Sequence, residues 1–390
     1  MKLADRMSRL GTETAFEVLV RAKALAAKGH DVVHLEIGEP DFDTPNNIKE
    51  AAVKALRDNW THYGPSAGQP LLRETIAEYI SKTRNIKVDA SNVVVVPGGK
   101  PIIFFPILAL AGDGDEVIYP NPGFPIYESM INFSGAKAVP IPLREDRDFA
   151  FDVNELIGKI NDRTRLIILN SPQNPTGGML PREDLKAIAE AVRDRNLMIL
   201  SDEIYSRIVF EGKAESITQF PGMLEKTIIL DGFSKTYAMT GWRMGYGVMP
   251  AELATQIAKL QTNATSCTAS FTQIAGVEAL RGDQSGAEKM VAEFRRRRDF
   301  IVKRLNQIEG LSCRMPKGAF YVFPNIKKTG MKSKEFEEKL LNEAFVASLA
   351  GTSFGAYGEG YVRFSYANSM ENLAKAMDRV EQFVAKKVLV

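Results

Sequence analysis

Cysteine is scarce in this sequence. Only Cys267 and Cys313 occur in 390 residues, and their spacing matches no metal-binding or redox motif; a reducing compartment fits such usage. Excess charge is missing too: 50 Lys and Arg stand against 48 Asp and Glu, a net charge of +2. Neither a nucleic acid nor an acidic membrane surface is therefore called for. Long hydrophobic runs are absent. The most apolar stretch, PIIFFPILALAG at 101–112, falls short of the roughly 20 residues of a membrane span and reads as a buried helix. The opening MKLADRMSRLGTETAFEVL has no apolar centre of signal-peptide type, so a soluble, cytoplasmic protein is expected. Repeats, low-complexity tracts and disordered linkers are lacking as well. The longest charge run, Arg295–Arg298, sits among Met290, Phe294, Ile301 and Leu305 at near-helical spacing. It reads as the solvated face of an amphipathic helix rather than a nucleic-acid patch.

What is present is an ordinary globular balance, 45% hydrophobic and 25% charged, in a chain long enough for two or three domains. Short apolar runs rich in Val, Ile and Leu recur at 92–98, 115–120, 165–170, 197–203, 227–232 and 244–248, with helix-like stretches such as PREDLKAIAEAVRDRN between them. Nearly continuous apolar strands alternating with helices predict an α/β fold: a mostly parallel sheet flanked by helices. Beyond it, a long helical stretch near 284–308, two further β-runs at 318–326 and 360–367 and a last helix predict a smaller α+β domain. The first 45 residues hold too few elements to fold alone. The expected division is a large domain at 46–284 and a small domain formed by 1–45 and 285–390.

Ligands of open α/β sheets collect beyond the carboxyl ends of the strands. Gly98, Gly99 and Lys100 follow the first strand; PNPGFPIY, with Phe124, follows the second; NSPQNPTGG follows the third; SDEIY ends the fourth; GFSK, ending in Lys235, follows the fifth. Taken singly, each has a plain structural reading: a tight turn, a strand-end cap, a core aromatic. The glycine pair is no Walker motif, because Pro101 stands where Ser or Thr is needed. An acid such as Asp202 at the end of a buried strand nevertheless demands a partner, and Arg363 within an apolar β-run suits an edge or an anion. Together the pieces ask for a ligand with a phosphate for Gly99, Ser234 and Arg243, an aromatic ring with a basic nitrogen for Phe124 and Asp202, and an aldehyde for Lys235. Pyridoxal 5′-phosphate (PLP) has all three. Lysine is the nucleophile that condenses with an aldehyde, and burial frees its amine.

DGFSKTYAMTGWRMGYG at 231–247 resembles the lysine signature of the class I/II aminotransferases, the PLP enzymes of fold type I. LEIGEPDFDTP, THYGPSAGQPLLRETIAEY, SPQNPTGG, SDEIY, PKGAFYVFP and GEGYVRFSYA extend the likeness over nearly the whole chain. The resemblance implies that Lys235 bonds the cofactor and moves the substrate proton, that Asp202 pairs with the ring nitrogen, and that Tyr205 and Asn174 meet the phenolic oxygen. It implies Phe124 against the ring, and Gly99, the backbone of Lys100, Ser234 and Arg243 at the phosphate. Tyr63 would reach the phosphate of a neighbouring subunit, so a homodimer with shared sites is implied. Arg363, Asn174 and the backbone at Gly38 would hold the substrate carboxylate. Prokaryotic aspartate aminotransferases of the broad subgroup are the nearest pattern. Aromatic and alanine aminotransferases are alternatives, as are a PLP carbon–sulfur lyase and, least of all, a non-catalytic PLP-binding protein. No extra DNA-binding module of the kind found in regulators with this fold is expected. Ala350 departs from the family, standing where members often have proline.

Overall fold

Val93–Val96 is an unbroken valine run with every residue buried. β-branched residues suit the pleated backbone, and a strand with no polar face must be covered on both sides. A computed structural model, which describes residues 1–388, shows how that cover is built. In chain order the strands are β1 (Val33–His34), β2 (Val93–Val96), β3 (Glu116–Asn121), β4 (Lys137–Arg144), β5 (Ala150–Phe151), β6 (Thr164–Asn170), β7 (Met198–Asp202), β8 (Thr227–Gly232), β9 (Gly245–Val248), β10 (Tyr321–Val322), β11 (Val346–Ala347), β12 (Leu349–Ala350) and β13 (Val362–Ser365).

Eight of these form one sheet in the order β2-β9-β8-β7-β6-β3-β4-β5. The run from β8 through β7, β6 and β3 to β4 is parallel throughout. β9 is antiparallel to both β2 and β8, and β5 is antiparallel to β4. Side-chain alternation divides the strands between two apolar layers. Val93, Val95 and Ile229 pack with the helices Asn46–Arg57, Pro70–Arg84 and Ser270–Arg281, while Val94, Val96, Ile228 and Leu230 pack with Pro101–Leu110 and Ala251–Thr265. The α/β expectation is met, and the apolar run at 101–112 is indeed a helix with Ile102, Ile103, Phe105 and Ile107 buried. Among the described residues no helix is long and apolar enough to cross a membrane.

β4 was not expected. Its sequence, KAVPIPLR, carries two prolines and charged ends, features that argue against an inner strand. The charge run brings a correction. Arg295 and Arg296 are exposed, but Arg297 and Arg298 are buried. Arg297 pairs with Asp41 at 2.6 Å and lies over the Phe42 ring. Arg298 pairs with Glu211 at 3.1 Å and lies over Phe210. Consecutive arginines cannot all point one way from a helix, so half of the run turns inward and is neutralised there.

The remaining strands form two small sheets. β10, β13 and β12 are antiparallel, and β1 lies parallel to β11. Phe294, Phe320, Phe336, Val362 and Met377 anchor a third apolar cluster there, drawn from both β-runs and the helices Ser285–Leu305, Ser333–Ala344 and Met370–Val388. Leu35 of the N-terminal segment belongs to the same cluster.

Candidate active site

The carboxyl ends of β6, β7 and β8 open into a cavity of about 490 Å³, closed from the other side by Gly38, Tyr321 and Arg363. Its volume is that of a small-molecule site. Lys235 stands three residues beyond β8, and its Nζ donates to the Gly38 carbonyl at 2.6 Å. Burial pushes this amine down to about 8; Arg363 and Arg243 act in the same direction, and Glu39 and Glu13 oppose them. A lysine of lowered basicity carries free amine near neutrality, as a nucleophile must.

Asp202, the last residue of β7, is buried. It accepts from the Tyr127 hydroxyl at 2.5 Å and from the Ile204 backbone N–H at 3.2 Å. Burial pushes its carboxyl up to about 6 against these two hydrogen bonds, helped by Asp231 and Glu203. Those two acids share one buried cation, Arg84, at 2.8 Å each.

Arg363 projects from β13 into the opposite wall. Its Nη1 donates to Asn174 Oδ1 at 3.0 Å and its Nη2 to the Glu36 carbonyl at 2.5 Å. The guanidinium lies 4.5 Å from the Tyr321 ring and 4.9 Å from the Phe354 ring, a packing that holds its plane fixed. Its Nε is buried and has no hydrogen-bond partner. A buried charged donor left unpaired is costly, and an incoming carboxylate would satisfy it. Tyr205 and Tyr321 share a hydroxyl contact of 2.8 Å. A β-carbon at Gly38 would lie 2.2 Å from the Tyr321 hydroxyl, so only glycine lets the backbone pass there.

Gly98, Gly99 and Arg243 form the third wall. A β-carbon at Gly98 would lie 2.2 Å from Arg243 Nη2, and one at Gly245 of β9 only 2.8 Å from the Gly99 backbone nitrogen. The glycines thus bring the turn, the sheet and a guanidinium to one point, next to Ser234 and the start of the helix Pro101–Leu110. This is an anion cradle in charge and in backbone geometry.

Phe124, Asn174, Tyr205, Ser234 and Lys100 all line the same cavity with the residues above. Tyr63 does not: it is 89% exposed and outside the cavity lining. Sequence reasoning missed Tyr127, the partner of Asp202, and the wall residue Tyr321, although both fall within quoted motifs. Glu13, Thr14 and Phe16, from GTETAF near the N-terminus, line the cavity as well. Glu13 is ion-paired there with the Lys100 ammonium. The donor set fits PLP: a free amine, a buried acid, an aromatic face and an anion cradle share one cavity.

Comparison with known proteins agrees. The family described as aminotransferase class I and II matches residues 30–380. The chain belongs to the class I and II aminotransferases. It is 47% identical to an aspartate aminotransferase of Pyrococcus horikoshii, over 92% of each chain. It is 41% identical to aromatic-amino-acid aminotransferase 2 of Thermococcus litoralis, over 100% of each. The solved aspartate aminotransferase of Thermus thermophilus with maleate superposes with a TM-score of 0.94 at 35% identity, covering 98% of this chain and 100% of that one. As a class I/II aminotransferase, the protein is a PLP-dependent transaminase acting on amino acids and 2-oxo acids.

Proposed function

We propose that this aminotransferase moves the amino group between aspartate or glutamate and the 2-oxo acids oxaloacetate and 2-oxoglutarate, in the cytoplasm. The observation that carries this reading is the Lys100 ammonium on the same cavity as Arg363, a cation beyond the one that meets the α-carboxylate. A dicarboxylic amino acid offers a carboxylate to Arg363 and a second one to Lys100. Relatives named aspartate aminotransferase support the same choice. Aromatic amino acids are a second reading, favoured by Phe16, Phe124 and Phe354 in the cavity wall and by a relative named for aromatic substrates.

PLP bound here supplies an aldehyde that bonds amino groups and a ring that takes up the electron pair left at the substrate Cα. Gly99, the Lys100 backbone, Ser234 and Arg243 would bind its phosphate, Phe124 would hold its ring, and Tyr205 and Asn174 would hold its phenolic oxygen. Asp202, a carboxylate above about pH 6, keeps the ring nitrogen protonated. Arg363, with Asn174 and the backbone at Gly38, clamps the substrate α-carboxylate and fixes which Cα bond faces Lys235. Lys235 Nζ, as free amine, would accept the substrate Cα proton and hold it for return. Residues 46–284 form the cofactor-binding domain, and residues 1–45 with 285–390 form the small domain. Tyr63, exposed in the single chain, reaches the phosphate of a partner subunit in a homodimer.

Lys235→Ala tests the assignment. Turnover should fall at least a thousandfold (about 4 kcal/mol of barrier), while PLP still binds through its phosphate contacts and loses the absorbance of the lysine-bonded form. Full turnover in that variant would refute it. Pyruvate and ammonia from a substrate, without conversion of the cofactor to its amine form, would mark a lyase instead.

A further inference from the structure

The N-terminal segment places an anion of the protein's own at the mouth of this cavity. Glu13 comes from the residue that precedes the helix Thr14–Ala27, and its carboxylate is ion-paired with the Lys100 ammonium, 87 residues away in sequence. Its side chain is 18% exposed and that of Lys100 is 48% exposed, so the pair sits at the cavity mouth rather than in its floor. Lys100 lies 5.7 Å from the centre of the Phe124 ring, which lines the same cavity. The charge of Glu13 is also felt by Lys235 and Arg363, the two groups that hold the reacting end of a substrate. Glu13 thus stands at the mouth of the cavity, beside the one ammonium there that could meet a substrate side chain.

We infer that Glu13 is a built-in counter-anion that occupies Lys100 until the side-chain carboxylate of an acidic substrate displaces it, which lets one pocket accept both acidic and uncharged side chains. This rests on the aminotransferase reading above. With Glu13 in place, Lys100 is neutralised, and an aromatic or aliphatic side chain meets a paired group beside Phe16, Phe124 and Phe354 rather than a bare cation. An acidic side chain instead exchanges with Glu13. Residues 1–12 before Glu13 are all exposed, and Glu13 itself is partly so. The exchange costs the broken ion pair and returns a new one, so acidic substrates bind more weakly than they would without Glu13. A neutral side chain has no such competitor.

Glu13→Gln keeps the size and removes the charge. In the PLP-loaded enzyme the dissociation constant of maleate, a dicarboxylate, should fall about tenfold, the size of one charge-assisted bond. That of 3-phenylpropionate, which lacks the second carboxylate, should stay within twofold. The KM for aspartate should fall by the same factor and that for phenylalanine should not. Equal changes for both ligands, or no change for either, would overturn the inference. Turnover of neither amino acid by the unaltered enzyme would instead overturn the proposed substrate choice, and the maleate titration would still decide the role of Glu13.

Discussion

At the scale of the residue, function here depends on what burial does to two ordinary groups. Lys235 is a lysine anywhere in the chain, but beyond β8 its amine is pushed from the ordinary 10.5 down to about 8. The lowered value means that the neutral, nucleophilic form dominates above about pH 8 instead of above pH 10.5. The rate at which cofactor-free protein reacts with PLP should therefore rise through about pH 8, where half of the amine is free, and level off about one pH unit higher, as followed by absorbance in stopped flow. A rise continuing to pH 10 would show that the amine is not desolvated. Asp202 is pushed the opposite way for the same reason, because low dielectric disfavours charge of either sign. Both residues were readable as strand-end polar groups. The Tyr127 hydroxyl that steadies Asp202 was not, because a tyrosine in a loop-helix motif carries no mark of its partner 75 residues on.

At the scale of the element, the reversed strand β9 is held close to the anion cradle. Gly245 faces the Gly98–Gly99 turn so closely that a β-carbon would meet backbone atoms at 2.8 and 2.9 Å. Backbone cannot swing aside as a side-chain tip can. Gly245→Ala should cost about 1–3 kcal/mol of stability by overpacking and weaken PLP binding by displacing the cradle; thermal unfolding with and without PLP measures both. An unchanged PLP affinity would show that the turn can shift without harm. The departure at Ala350 has a structural counterpart: its backbone N–H donates to the buried carboxylate of Glu337 at 2.8 Å, a bond that proline has no N–H to make. Strand periodicity made the central elements legible, whereas β4, interrupted by prolines, and the inward turn of Arg297 and Arg298 were settled by neighbours outside their own elements.

At the scale of the whole molecule, the open question is where Tyr63 acts. Its side chain is almost fully in water in the single chain, an unusual position for an aromatic residue inside a recognisable motif. If it serves the neighbouring site of a homodimer, Tyr63→Phe and Lys235→Ala chains complement one another. In a mixed dimer the intact lysine sits in the Tyr63→Phe chain, and the intact tyrosine of its partner completes that site. Mixed dimers should show half the activity of the unaltered dimer together with its PLP affinity, while Tyr63→Phe alone should bind PLP about tenfold more weakly, the loss of one hydrogen bond to a charged group. Mixed dimers whose active sites keep the weakened PLP affinity would place Tyr63 in its own chain's site instead.

The α/β architecture and the order of polar groups at the strand ends were legible in the sequence, with Lys235, Asp202, Arg243 and Arg363 expected among them. These follow from local pattern: alternation states which faces are covered, and turn residues state where strands stop. Which charges meet was settled by the packing of distant segments. Glu13 with Lys100, Asp202 with Tyr127, and Arg363 with Asn174, 189 residues apart, are pairings between distant segments. Their energies depend on separation in space and on the water excluded around them, and neither quantity is written in the spacing along the chain.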